Sequence, residues 1–391
     1  TQSRSSAASD VYKRQAMTNP LTDFSDLPLF DRIRPEHVEP AITQLLAEAR
    51  AAQETVADPA FPADWKAIAK VLDVATERLG VAWGAVGHLK SVADTPELRN
   101  AYNAVMPQVS EFWTQMGADE RLYAKYKAMD PAALTPEQRQ AHKNAIRGFV
   151  LSGAELQGEA RTRYAQIQDR MAELAQKFSE NALDSTDAYA HYAGESEVEG
   201  IPGDALEAAA EGAKADGREG YKFTLKLPSY LPVMQYARSS ALRETLYRAY
   251  ATRASELAEG DAVKFDNTAI VREILALRHE EAQLLGYPDF ATVSVVPKMA
   301  ESPEQVITFL RDLATRARPY ALQDLADLRE FAAQELGLPD PQPWDWPYVG
   351  EKLKEARYSF SDQEVKLYFP APKVLAGLFK IVAVSYTHLR A

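Results

Sequence analysis

The chain has 391 residues, and at roughly 150 residues per domain that allows two to three domains and a sizeable core. It is 46% hydrophobic, 26% charged and carries a formal charge of −12, so it reads as an ordinary folded protein without the basic face that nucleic acid requires. Cysteine is absent, which excludes disulfides, thiolate metal sites and a cysteine nucleophile, and no apolar run approaches the length of a transmembrane helix.

Both ends read as foreign to the fold. The stretch before Met17 is polar, lacks the apolar centre of a signal peptide and has no helical period. Residues 1–16 are therefore expected to be a non-native tail, and 383–391, which continue no pattern beyond the amphipathic helix Val374–Ile381, a second one. From Asn19-Pro20-Leu21 onward helix signals dominate. Three starts share one design: Thr95-Pro96-Glu97, Thr135-Pro136-Glu137 and Ser302-Pro303-Glu304. In each, a hydroxyl N-cap precedes proline at the first helical position, with an acid in the first turn. Gln138 and Gln305 add the capping-box position to the last two.

Apolar residues at helical spacing predict helices over Val38–Val56, from Trp65 to Leu89 after an Asp64 cap, and over Arg161–Leu183, Leu242–Ala258, Thr268–Leu285 and Val306–Leu336. One stretch breaks the pattern. Tyr221, Phe223, Leu225 and Leu227 alternate with Lys222, Thr224 and Lys226, which predicts a half-buried strand pairing with the extended residues near Tyr189–Tyr192. The expected fold is mainly α with a small antiparallel β element near 188–227. Its expected segments are an N-terminal helical lobe over 17–150, a helical and β-hairpin segment over 151–235, and a further domain over 236–382.

The search for chemistry returns little. The six histidines stand at 37, 88, 142, 191, 279 and 388, and no two are one helical turn apart. His279-Glu280-Glu281-Ala282-Gln283 approaches the zinc-peptidase pattern H-E-x-x-H, in which two histidines at i and i+4 face one ion. Gln283 is a poor zinc ligand, so His279 is placed on the polar side of its helix. No nucleophile elbow, phosphate loop or dinucleotide fingerprint is present. The acidic run Glu195-Ser196-Glu197-Val198-Glu199 reads as solvated loop. The aromatic group Trp344, Trp346, Tyr348, Tyr358, Phe360, Tyr368 and Phe369 fits either core packing beside proline turns or the wall of a peptide-binding channel. These residues supply no catalytic, cofactor-binding or metal-binding set.

A longer pattern goes further. Trp344-Asp345-x-x-Tyr348, then Glu351-Lys352-Leu353, then Arg357-Tyr358-x-Phe360-Ser361-Asp362-x-Glu364-Val365-Lys366-x-Tyr368-Phe369-Pro370, resembles the thimet-oligopeptidase family of zinc peptidases. Lys177-Phe178-Ser179-Glu180-Asn181, Leu242-Arg243-Glu244-Thr245 and Glu280-Glu281-Ala282-Gln283-Leu284-Leu285-Gly286-Tyr287 match the same family, and the resemblance covers Met17–Val382. A second tyrosine often follows the first in relatives, and Val349 stands there instead.

The resemblance implies a mostly helical, two-lobed metallopeptidase fold around a narrow channel that admits short peptides. It also implies one Zn2+ in the complete enzyme, held by H-E-x-x-H and a later glutamate, none of which can be carried over to a position in this chain. The expectation is therefore an N-terminal fragment in which 236–382 begins the catalytic domain, inactive by itself. The complete enzyme is expected to be a cytoplasmic monomer with short peptides as partners, and without nucleic acid or membrane. The competing expectation is a non-catalytic helical peptide-binding or interaction protein. Helices from Pro303 onward are expected to leave apolar faces uncovered.

Overall fold

Local capping chemistry places the helix starts where the sequence predicts them. In the computed structural model, which describes residues 19–360 and 362–385, the Thr95, Thr135 and Ser302 hydroxyls accept from the backbone N–H groups of Leu98, Gln138 and Gln305 at 3.2–3.3 Å. Gln138 closes the box by accepting from Thr135 N at 3.0 Å. At Ser302 the box differs: Gln305 reaches past the cap to Glu301 N at 2.8 Å.

The helices are α1 Pro35–Ala57, α2 Val74–Val92, α3 Pro96–Gly117, α4 Glu120–Lys127, α5 Pro136–Leu151 and α6 Gly158–Asp187. After them come strand β1 His191–Ala193, α7 Gly203–Ala215, strand β2 Tyr221–Phe223, α8 Leu227–Tyr236 and α9 Ser240–Ala251. The chain continues through α10 Thr268–Leu284, α11 Phe290–Val295, α12 Pro303–Glu335, α13 Trp346–Tyr358, α14 Asp362–Lys366 and α15 Ala371–Ser385. The fold is mainly α. The predicted tail 1–16 lies outside the described residues, as does 386–391, while 383–385 continue the helix that the sequence pattern ends at Ile381.

The chain forms two compact units, one running to Gln176 and including Arg272–Val306, the other comprising Lys177–Val271 and the chain from Ile307. In the first, α1 packs on α2 and α3. Its apolar stripe (Val38, Ile42, Leu45, Ala49) meets Leu79 and Val86 of α2 and Val105, Val109 and Phe112 of α3. A second cluster gathers Val56, Ile68, Leu72, Leu122, Tyr126 and Met129. The helix predicted from Trp65 is interrupted. Asp64 caps a single turn, Trp65–Ile68, and a π turn over Ala69–Asp73 precedes α2. A π turn adds a residue per turn and rotates the faces that follow. Ile68 and Leu72 therefore serve the second cluster, and Leu79 and Val86 the first.

In the other unit β1 and β2 pair antiparallel, with His191 opposite Phe223, Tyr192 opposite Lys222 and Ala193 opposite Tyr221. The expected hairpin is not a tight one, because α7 lies between its strands in sequence. The strand is also shorter than the alternation through Leu227 predicts. Thr224 N donates to Ser229 Oγ at 3.0 Å in place of a ladder bond, and Pro228 at the second position of α8, in the first turn where its missing N–H costs nothing, turns the chain helical. Leu225 stays buried, but Leu227 is 52% exposed. Helix α9 stops at Ala251, short of the predicted Ala258, and Ala254 takes a left-handed φ of 50°.

Candidate functional site

The histidines occupy separate structural posts. His37 Nδ1 accepts from Arg34 N at 3.0 Å at the start of α1. His88 meets the edge of Phe30, with ring centroids 5.3 Å apart. His142 is buried, its Nε2 2.8 Å from Tyr126 O. His191 lies on β1 with Nε2 buried and unpartnered, His279 is exposed on α10, and His388 lies outside the described residues. At the zinc-like motif, Gln283 Nε2 donates to Pro288 O at 3.0 Å, fastening the turn after α10 instead of facing an ion. Among the described residues no three His, Cys, Asp or Glu side chains converge where a metal ion could be held. These residues do not fit a zinc ion.

The acidic loop is wired rather than merely solvated. Glu195 accepts from Tyr221 OH at 2.8 Å, Glu197 accepts from Gly194 N at 2.8 Å, and Glu199 pairs with Arg238 at 2.5 Å.

The strongest polar constellation is built from the Trp-Asp-x-x-Tyr segment. Arg243 of α9 is 0% exposed and donates from Nη2 to Asp345 Oδ1 at 2.6 Å. That oxygen also accepts from Ser240 Oγ at 2.7 Å, and Asp345 Oδ2 accepts from Gln342 N at 2.9 Å. Trp344 Nε1 donates to Ser240 Oγ at 3.0 Å, and Tyr348 offers its ring face to the Arg243 guanidinium at 4.4 Å. Arg243 Nη1 further donates to Ala237 O. One turn along α13, Glu351 accepts from Tyr236 OH at 3.2 Å and pairs with Lys354 at 2.8 Å. The motif is thus a buried clasp joining the α8–α9 corner to α13. Asp345 has both oxygens engaged and the pair is buried, while Arg243 Nε is left buried without a hydrogen-bond partner. Arg243 stands within the Leu242-Arg243-Glu244-Thr245 family match, which assigns it no role, and its local sign is a cation beside Leu242 and one turn before Leu246 on the apolar stripe of α9.

The aromatic group divides by burial. Tyr348 is buried and Trp344 packs against the second unit's core, whereas Tyr358, Phe360, Tyr368 and Phe369 stand in solvent. Near them an open groove of about 460 Å3 is lined by Leu227, Leu231, Pro232, Tyr236, Gln363 and Lys366. The exposed apolar surface extends along α12, where every residue from 304 to 324 is exposed, and along α15 through Leu375, Leu378, Phe379 and Ile381.

Residues 42–161 match the model for the neurolysin/thimet oligopeptidase N-terminal domain, and residues 233–386 match that for peptidase family M3. The chain belongs to peptidase family M3. It is 46% identical over 375 residues to oligopeptidase A of Salmonella typhimurium, a match covering 95% of this chain and 55% of that one. Oligopeptidase A of Escherichia coli is 45% identical over the same shares. Dipeptidyl carboxypeptidase of Salmonella typhimurium is 27% identical over 93% of this chain and 54% of its own. The chain spans about half the length of the curated relatives it matches. Among the described residues no helix is long and apolar enough to cross a membrane.

Proposed function

We propose that this chain serves peptide hydrolysis as part of an oligopeptidase A-like zinc endopeptidase acting on short peptides in the cytoplasm. The observation that carries the reading is the 46% identity to oligopeptidase A, sustained over 375 residues. The exposed apolar residues of α12 and α15 support it, since a surface of this extent is a seat for further protein. In this reading the chain's own residues build and hold a peptide-facing wall, and the buried clasp around Arg243 fixes that wall's α13 support. The single zinc of the complete enzyme would supply Lewis-acid activation of water, held by residues other than those described here.

Reconstitution tests the reading. The chain alone is expected to hold no stoichiometric zinc and to leave a fluorogenic heptapeptide intact. Mixed with a separately purified polypeptide covering the part of Escherichia coli oligopeptidase A that this chain does not span, it is expected to give chelator-sensitive cleavage. Stoichiometric zinc and activity in the chain alone, or no cleavage after a mixture that forms a stable complex, would overturn it.

A further inference from the structure

Within the first unit, α6 and α10 meet along a polar seam of three rungs. Arg163 donates to both oxygens of Glu280 at 2.6 and 2.8 Å, and Arg170 to both oxygens of Glu273 at 2.6 and 3.0 Å. Both pairs stand partly in solvent, where ion pairs contribute little. The middle rung is of another kind. Gln168 Nε2 donates to Glu281 Oε1 at 3.0 Å, Glu281 is 6% exposed, and its Oε2 is buried without a hydrogen-bond partner. A carboxylate there would be stripped of water and offered one neutral amide in exchange, which disfavours the charged form.

The groups facing it do not remedy this. From α6, Tyr164 turns its hydroxyl to Leu151 O at 3.0 Å. From α10, Arg278 lies one turn back with its guanidinium over the Phe290 ring at 4.8 Å, so it acts on Glu281 without pairing with it. Burial raises the Glu281 carboxyl above its ordinary range, against smaller opposing effects of Gln168 and Arg278. Glu280 and Glu273 are held below theirs by hydrogen bonds from Arg163 and Arg170, so neither titrates near neutrality.

We propose that Glu281 is a proton-operated latch: its neutral carboxyl keeps the segment Arg272–Val306 closed on α6, and loss of that proton to solvent opens the seam. Below the ordinary carboxylate range, closed and opened states are both protonated. Above it the opened state releases the proton first, so closure weakens as pH rises until the closed-state carboxyl also ionises.

Hydrogen exchange followed by mass spectrometry, corrected for intrinsic pH dependence, tests this between pH 5 and 8 on the intact chain. Protection of amides in 272–284 is expected to fall about tenfold for each unit by which the closed-state carboxyl exceeds its ordinary value. Glu281→Gln, which keeps the acceptor for Gln168, should give protection that does not change with pH. Gln168→Leu should deepen the fall. His279 is exposed on the same helix and takes no part in the seam, so His279→Gln should leave the fall intact. Flat protection in the parent chain, an undiminished fall in Glu281→Gln, or loss of the fall in His279→Gln overturns the latch. Carbon-13 NMR titration of the parent chain gives an answer independent of any variant: a Glu281 carboxyl titrating at or below about 4.5 overturns it as well.

Discussion

Arg243 and Asp345 are 102 positions apart in sequence and meet at 2.6 Å with neither side chain reached by solvent. A buried ion pair is weak support for stability in itself, because both charges lose hydration, but breaking one on a single side leaves an uncompensated charge. Asp345→Ala should therefore destabilise the second unit by about 3–5 kcal/mol in urea unfolding. The double variant Arg243→Met/Asp345→Leu should lose much less than the sum of its single changes. Additive losses would show that the pair does not act as a unit.

The backbone around the two-stranded sheet gives a sharper contrast. Gly220 has φ +87°, and a Cβ placed there would lie 2.5 Å from Ala193 O on the partner strand. Gly260 has φ +60° with nothing near the added atom. Gly260→Ala should cost about 1–2 kcal/mol from left-handed backbone alone. Gly220→Ala should cost clearly more, because the strand itself must move. Equal melting temperatures for the two variants would contradict this account.

What was legible in the sequence was local. The Thr95, Thr135 and Ser302 starts carry their own caps, so they could be read without knowing the fold. The mainly helical class and the position of the small sheet follow from the change between the 3.6 and 2.0 apolar periods. The π turn over Ala69–Asp73 was hidden, because Ile68, Leu72 and Leu79 fit one helical stripe although they serve two clusters. The early end of β2 was hidden too, since it depends on Ser229 taking Thr224 N. The clasp was half legible: Trp344-Asp345-x-x-Tyr348 marks the family, but its partner Arg243 is fixed by tertiary packing that no short window contains.

Lys125 supplies a third expectation. Although 9% exposed, its ammonium donates to Asp58 O and Phe61 O at 2.6 Å each and lies 5.5 Å from the centre of the Phe61 ring. It therefore ties the loop after α1 to α4. Lys125→Met keeps much of the stem's packing but takes the ammonium donor from Phe61 O and leaves Asp58 O only the Phe61 N–H at 2.9 Å. Hydrogen bonds to charged groups contribute about 1.5–3 kcal/mol, and a loss of that order is expected. Limited proteolysis should then cut first within 58–63, while unchanged cleavage kinetics would mean the loop holds without the lysine.

The exposed apolar surface governs how the chain behaves in solution. Phe309 and Leu313 lie one turn apart on α12 at 65% and 53% exposure, in a stretch where the helix contributes no buried residue from 304 to 324. A helix of that length gains little from propensity alone and depends on packing for most of its stability. Apolar patches above a few hundred Å2 drive association. Light scattering on the chain alone should therefore show mass rising with concentration. Phe309→Glu/Leu313→Glu should lower that mass and raise soluble yield with no loss in the melting temperature of the first unit, whose cores these residues do not enter. A parent chain that stays monodisperse and monomeric across a hundredfold concentration range would show that this surface is not adhesive.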